Sequence, residues 1–130
     1  MKIGFRGTRD GMTERQKDTL RQVLAEYQPD EFHHGDFVGA DAEAHVIVKT
    51  AYPAIRVVIH PPSKKTFRAF CRGDEQRPAR GYLARNRDLV GTCDTLVAAP
   101  RSMEEQQMSG TWAVIRYARV RNLTVVLLEP

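Results

Sequence analysis

The chain has 130 residues, a formal net charge of +4 and 42% hydrophobic residues, which is the make-up of one globular domain and excludes a disordered or fibrous protein. No apolar run approaches the roughly 20 residues that span a bilayer, and residues 1–6 lack the apolar core of a signal peptide. We therefore expect a single domain over residues 1–130, located in the cytoplasm, with Cys71 and Cys93 as reduced thiols.

The first half of the chain alternates short apolar runs with stretches of helical periodicity. Thr13 and Gln16 are spaced as a capping box, which predicts a helix that starts there and stops before Pro29. The predicted elements are strands over 2–6, 31–36 and 55–60 and helices over 14–28 and 41–51.

The second half continues the alternation after an irregular, basic stretch at 62–78. The predicted elements are helices over 79–91 and 111–121 and strands over 95–99 and 124–128. The last strand is almost wholly apolar, as in a strand that is covered on both faces. The whole pattern predicts an α/β protein, with a Rossmann-like open parallel β-sheet of about five strands and helices on both faces.

Three glycine-containing polar segments follow predicted strands, at 4–9, 35–41 and 109–112. In open parallel sheets, ligands bind outside the carboxyl ends of the strands, where the strand order reverses. Glycine in a strand-to-helix turn often serves only to make the corner, so each segment alone is weak evidence. Three such segments at the same edge of a sheet indicate a site of the size of a nucleotide.

The side chains in these segments suit an anionic ligand. Arg6 and Arg9 are placed to hold a phosphate or carboxylate, and Ser109 and Thr111 add hydroxyl groups beside Gly110 at a helix start. Trp112 either stacks on a base or packs in the core, and the sequence leaves both open.

Metal and classical cofactor sites are not indicated. His33 and His34 are adjacent in a predicted strand, where neighbouring side chains face opposite ways and cannot chelate one ion. Neither the dinucleotide-binding GxGxxG pattern nor the Walker lysine motif is present. We therefore expect no metal and no cofactor.

Four motifs, in this order, resemble those of the SLOG superfamily, which includes the Smf/DprA and LOG proteins, and in particular its small YspA/cpYpsA-type members of bacteria and phages. The motifs are Gly4-x-Arg6-x-Thr8-Arg9, His34-Gly35-Asp36-x-x-Gly39-Ala40-Asp41, Tyr82-Leu83-x-Arg85-Asn86 and Ser109-Gly110-Thr111-Trp112. The resemblance covers nearly the whole chain and implies a pocket for a nucleotide or a nucleotide-derived small molecule.

The resemblance also implies roles for individual residues. Arg85 lies where LOG enzymes carry their catalytic arginine, and Gly110-Thr111 matches their phosphate loop. The implied ligand-binding residues are Gly4, Arg6, Thr8, Arg9, Gly35, Gly39, Asn86, Ser109, Gly110, Thr111 and Trp112.

One departure from the LOG pattern bears on catalysis. Val114 occupies the position of the LOG glutamate, and cleavage of a base–sugar N-glycosidic bond needs a carboxylate. Among Asp36, Glu104 and Glu105, we favour Asp36 as that carboxylate, with Arg85 steadying the phosphate or leaving group. Two hypotheses follow, a sensor that only binds its ligand and a hydrolase of this bond.

The alternative is a DprA-like nucleic-acid-binding protein. Eight basic residues between Lys64 and Arg87 face only Asp74 and Glu75, and Phe67, Phe70 and Tyr82 are interspersed among them. Such a segment suits a phosphate backbone with stacked bases.

The partner we expect is a nucleotide-like small molecule, with nucleic acid as the second choice. We expect no membrane partner, and a homo-oligomer is left open.

Overall fold

The computed structural model describes residues 1–130. Its sheet has six parallel strands in the order β4-β3-β2-β1-β5-β6, and four helices connect them. The strands are β1 (Lys2–Gly7), β2 (Glu31–His34), β3 (Arg56–Ile59), β4 (Glu75–Gln76), β5 (Thr95–Ala99) and β6 (Thr124–Leu127). The helices are α1 (Glu14–Tyr27), α2 (Ala40–Ala51), α3 (Tyr82–Thr92) and α4 (Gly110–Val120).

The predicted fold class is confirmed, with two corrections to the strands. The sheet has six strands instead of about five, because β4 is a two-residue strand beside β3 that carries no apolar residue. The last strand is only partly covered: β6 pairs with β5 alone at the sheet edge, Val126 packs on one cluster and Val125 and Leu127 on the other, and all three remain half-buried.

Two hydrophobic clusters hold the layers together. On one face, α1 and α2 pack on the sheet through residues such as Leu20, Leu24 and Val48, against Phe5 and Phe32. On the other face, α3 and α4 contribute Leu89 and Ile115 to a smaller cluster with Leu96. Helices on both faces are the result of right-handed connections between parallel strands.

Local sequence explains where the helices start. The capping box of α1 is present, since the Thr13 hydroxyl accepts from the Gln16 amide and the Gln16 side chain accepts from the Thr13 amide. Helix α2 starts after Gly39, which has a φ of +90°. None of the four helices combines the length and apolar character that a membrane crossing requires.

Strand order reverses between β1 and β5, since the chain builds outward on one side of β1 and then returns to the other. The carboxyl ends of these two strands are Gly7 and Ala99, which lie in register. An open parallel sheet has its ligand crevice at this reversal.

Candidate functional site: a basic cleft at the strand-order reversal

A cleft of about 620 Å³ opens at the carboxyl ends of β1 and β5. It is formed by the turn after β1, the segment after β2, the start of α3 and the loop that leads into α4. Its lining residues are Arg6, Gly7, Thr8, Arg9, Asp10, Phe37, Lys64, Phe67, Tyr82, Arg85, Asn86, Arg101, Gln106, Met108, Ser109, Gly110 and Thr111. The volume lies within the range of small-molecule sites.

The floor of the cleft is a buried group of charged side chains. The Arg6 Nε donates to Asp41 Oδ2 at 3.0 Å, and the amides of Gly7 and Gly35 donate to the same carboxylate. Arg85 donates to the backbone oxygens of Gly35 and His60. Arg6, Asp41 and Arg85 are each at most 5% exposed. Asp41 pairs with Arg6 alone, so Arg85 is a second buried guanidinium group without a carboxylate bonded to it.

The positive charge in this group exceeds the negative charge. Burial, followed by the nearby charge of Arg6, lowers the pKa of Arg85 to about 9, so its guanidinium remains protonated at neutral pH. Burial raises the pKa of Asp41, whereas Arg6, Arg85 and its backbone donors act against that rise. In each of these hydrogen bonds an Asp41 oxygen is the acceptor, which suits the ionised carboxylate.

Both arginines keep a donor group for a ligand. Their Nε and Nη1 atoms bind within the protein, partly through the Asn86 Oδ1 that they share. The Nη2 atoms make no hydrogen bond within the protein, whereas every fully buried side-chain nitrogen has a hydrogen-bond partner. The Nη2 atoms are therefore accessible, and both residues line the cleft.

A second anion-binding element lies at the start of α4. Ser109 caps this helix, because its Oγ accepts from the Trp112 amide at 3.2 Å. The amides of Gly110 and Thr111 have no acceptor within the protein, as is usual in the first turn of a helix. A Cβ atom on Gly110 would meet nothing within 4 Å, so the approach to these amides is open.

Aromatic rings form one side of the cleft. The Phe37 ring lies 5.7 Å from the Phe67 ring and 5.9 Å from the Tyr82 ring, measured between centroids. The Arg9 guanidinium lies over Phe67 at 4.8 Å. A planar ring would find both stacking and edge contacts here.

Eight of the residues predicted from the sequence come together in this cleft. They are Arg6, Thr8, Arg9, Arg85, Asn86, Ser109, Gly110 and Thr111. The cleft also contains residues to which we assigned no role in a pocket, among them Phe37, Arg101 and Met108. Phe37 could have been found from the sequence, since it directly follows the Gly35-Asp36 turn. No sequence pattern marks Arg101 and Met108 as cleft residues.

The predicted glycines outside the cleft have packing roles. A Cβ on Gly4 would lie 2.8 Å from Leu89, and one on Gly35 would lie 2.8 Å from Arg6, Arg85 and Asp41. A Cβ on Gly39 would collide with the Arg9 backbone at 2.3 Å. These glycines shape the walls of the cleft without lining it.

Trp112 is also placed outside the cleft. The residue is 3% exposed, belongs to the α3–α4 cluster and donates its Nε1 hydrogen to the Ser102 oxygen at 3.0 Å. Of the two interpretations that the sequence left open, the core position is the observed one.

Asp36 does not line the cleft either. It is fully buried, with Oδ2 accepting from Arg68 at 2.9 Å and Oδ1 from the Cys71 amide at 2.8 Å. Val114 is 1% exposed and packs in the core, while Glu105 pairs with Arg116. Among the lining residues, the only carboxylate is Asp10, which pairs with Arg101 at 3.4 Å.

Half of the eight basic residues between Lys64 and Arg87 are paired or buried within the protein. Arg68 pairs with Asp36, Arg77 with Glu75 and Arg80 with Asp88, and Arg85 is buried. Lys64 lines the cleft together with Phe67 and Tyr82. The segment therefore offers fewer free cations to a phosphate backbone than its sequence suggests.

Three potential metal-ligating side chains, His34, His45 and Cys71, lie within 4.8 Å of one another. The Asp36 amide donates to His34 Nδ1, so the neutral ring carries its proton on Nε2, which faces His45 Nδ1 at 3.0 Å. Burial, together with Asp36, raises the pKa of Cys71 to about 12. A metal would have to displace these protons, and we interpret the group as hydrogen-bonded packing.

Solved structures with the same fold include a molybdenum cofactor binding protein from the phototrophic bacterium Rippkaea orientalis. It has a TM-score of 0.72 and 21% identity, over 97% of this chain and 74% of the other. The X-ray structure of TM1055 has a TM-score of 0.67 and 16% identity, over 95% and 71% of the two chains. No family model and no curated protein matches the sequence. The chain thus has an α/β Rossmann-like fold, which these neighbours share.

Proposed function

We propose that the cleft binds a small phosphorylated molecule with a planar ring, a nucleotide or a nucleotide-derived compound, and releases it unchanged. The observation that carries the proposal is the pair of buried arginines, of which only Arg6 is paired with a carboxylate and both keep an Nη2 atom without a partner in the protein. A buried surplus of positive charge is costly unless an anion compensates it. The open amides of Gly110 and Thr111 offer the anion a second set of donors.

The ring of the ligand is assigned to the side formed by Phe37, Phe67 and Tyr82. Five cationic side chains line the cleft against one carboxylate, which suits a ligand of more than one negative charge. The Rippkaea orientalis neighbour is a molybdenum cofactor binding protein, which supports a small-molecule ligand for this fold and makes that cofactor one member of a test panel.

The position of the carboxylates supports binding without cleavage. Both Asp36 oxygens are engaged by protein donors, the Asp41 carboxylate is held by Arg6 and two amides, and Asp10 pairs with Arg101. None of them is free to activate water or stabilise an oxocarbenium ion. A sensor or carrier is therefore favoured over the N-glycosidic hydrolase.

Thermal-shift measurements across nucleosides, nucleotides, dinucleotides and the molybdenum cofactor test the proposal. A ligand at 100 times its Kd adds about 2.7 kcal/mol to the free energy of unfolding, which gives a readily measured rise in Tm. Gly110→Asp should remove the rise, because its carboxylate repels the anion. Gly81→Asp is the matched control: both glycines have open space around a Cβ, but Gly81 lies outside the cleft.

Two results would contradict the proposal. The first is release of free base during incubation with a stabilising nucleotide, which would establish hydrolysis. The second is the absence of stabilisation by every compound, together with binding to single-stranded DNA that weakens steeply with salt, which would favour the nucleic-acid alternative.

A further inference from the structure

A second cavity lies on the other side of α3, away from the cleft. It is a groove of about 470 Å³ with His60 on its floor and α3 residues Arg87, Asp88, Gly91 and Thr92 along one side. The other side is formed by Arg77, Pro78 and Arg80. No residue lines both this groove and the cleft.

The floor of the groove is the end of a chain of three hydrogen-bonded side chains. His33 Nε2 lies 2.8 Å from Glu31 Oε1, and His33 Nδ1 lies 2.8 Å from His60 Nε2. His33 is fully buried and His60 is 2% exposed. The chain runs across β2 and the end of β3 to the groove.

The carboxylate fixes the direction of every hydrogen bond in this chain. Ionised Glu31 only accepts, so the proton of neutral His33 is on Nε2 and its Nδ1 accepts. His60 must then donate through Nε2, which leaves the lone pair on Nδ1. His60 Nδ1 has no hydrogen-bond partner in the protein. Every fully buried side-chain nitrogen does have a partner, so this atom is accessible, and the groove is the space that it faces.

The groove also carries positive charge. Arg77 and Arg80 are paired with Glu75 and Asp88, whereas Arg87 has no ion pair and its guanidinium lies 5.9 Å from the centroid of the Tyr117 ring. An arginine without an ion pair and a fixed acceptor therefore line the same groove. A ligand that satisfies both needs an anionic group and a hydroxyl or N–H donor.

We propose that this groove is a second binding site, for a small hydroxylated anion of the sugar-phosphate class. Arg87 holds the phosphate, and His60 Nδ1 accepts a hydrogen bond from a hydroxyl group. The site is independent of the cleft, and so is the proposal.

The environment of His60 keeps its lone pair available. Burial, followed by the neighbouring His33 and Arg77, lowers the pKa of His60 to about 3, while Asp88 acts in the opposite direction. The imidazole is therefore neutral throughout the physiological range, and the ligand has to supply the proton of this hydrogen bond.

The test is a titration of the isotopically labelled protein with ribose 5-phosphate, followed by NMR up to about 10 mM, the range of weak binding. Signals of the Gly91 and Thr92 amides and of the His60 ring should shift. Methyl phosphate, which has no sugar hydroxyls, should bind at least about tenfold more weakly. Long-range ¹H–¹⁵N spectra should show His60 protonated on Nε2.

Variants separate this site from the cleft. Arg87→Gln and Gly91→Asp should each weaken binding at the groove at least about tenfold. Gly81→Asp is again the control, since a Cβ at Gly81 or at Gly91 meets nothing within 4 Å. Shifts confined to Gly110 and Thr111, no shifts at all, or a proton on His60 Nδ1 would overturn the proposal, whereas failure of the cleft leaves the groove signals intact.

Discussion

Arg6, Asp41 and Arg85 are polar residues that occupy positions as buried as the core. The burial of these charges is tolerated because each has hydrogen-bond partners. Arg6 donates to Asp41, and Arg85 donates to the backbone oxygens of Gly35 and His60. Removing one member of a buried charge pair leaves the other uncompensated and costs about 3–5 kcal/mol. The role of Asp41 can therefore be measured.

Asp41→Asn should lower the free energy of unfolding by about 3 kcal/mol or more, because the buried guanidinium of Arg6 then lacks its carboxylate. Urea denaturation measures this loss, and millimolar phosphate should recover more stability in the variant than in the native protein. Asp18→Asn, which removes an exposed pair with Arg21, should stay within about 0.5 kcal/mol. A variant that is insensitive to phosphate would show that the arginines are closed to anions.

The residues of the cleft were predictable to different degrees. Arg6 and Gly110 lie at the end of a strand and the start of a helix, positions that are evident from the sequence, whereas Arg85 lies inside α3 and was assigned through the resemblance. Asp36 occurs in a turn that is equally evident, but its φ of +52° and its bonds to Arg68 and Cys71 turn it away from the cleft. That choice depends on contacts more than 30 positions apart, which a local pattern does not contain.

At the level of elements, the starts of α1, α2 and α4 agree with the predictions within one residue, whereas α3 starts at Tyr82 instead of residue 79. The Thr13–Gln16 capping box predicts the start of α1, and the structure has both of its hydrogen bonds. Strand β5 occupies the predicted range 95–99. Strand β4 was not predictable, since two polar residues have no periodicity and pair only because β3 offers a free edge.

Thr13→Ala should destabilise the protein by about 1 kcal/mol, since the Gln16 amide loses its acceptor. Thr50→Ala serves as the control, because Thr50 is exposed near the end of α2. Chemical denaturation of both variants gives the comparison. Equal stabilities would mean that water replaces the cap without cost.

For the molecule as a whole, the four histidines make stability depend on pH. Burial is the largest cause of a lowered pKa in each of His33, His34, His45 and His60. The unfolded chain binds protons near pH 6.5, whereas the native protein resists them to lower pH, and for His60 to about 3. The stabilisation is complete above pH 6.5 and is lost as the pH falls below it.

We therefore expect the free energy of unfolding to be level near pH 7.5 and to fall between pH 6.5 and 5. Each histidine adds a slope of up to about 1.4 kcal/mol per pH unit. Urea denaturation at several pH values measures this slope, and His45→Gln should make it shallower. A stability that rises on acidification would contradict the neutral, buried state of these rings.

The close approach of Gly7 and Gly39 to their neighbours has a consequence for mutational surveys. A Cβ at Gly7 would lie 2.5 Å from Ala40, and one at Gly39 would strike the Arg9 backbone. In a saturation mutagenesis screen scored by cellular abundance, every substitution at these two positions should be depleted. At Gly110 and Gly91, most replacements should be tolerated in that screen and should be depleted only when the selection is for ligand binding. Comparison of the two scores therefore separates residues needed for folding from residues needed for binding.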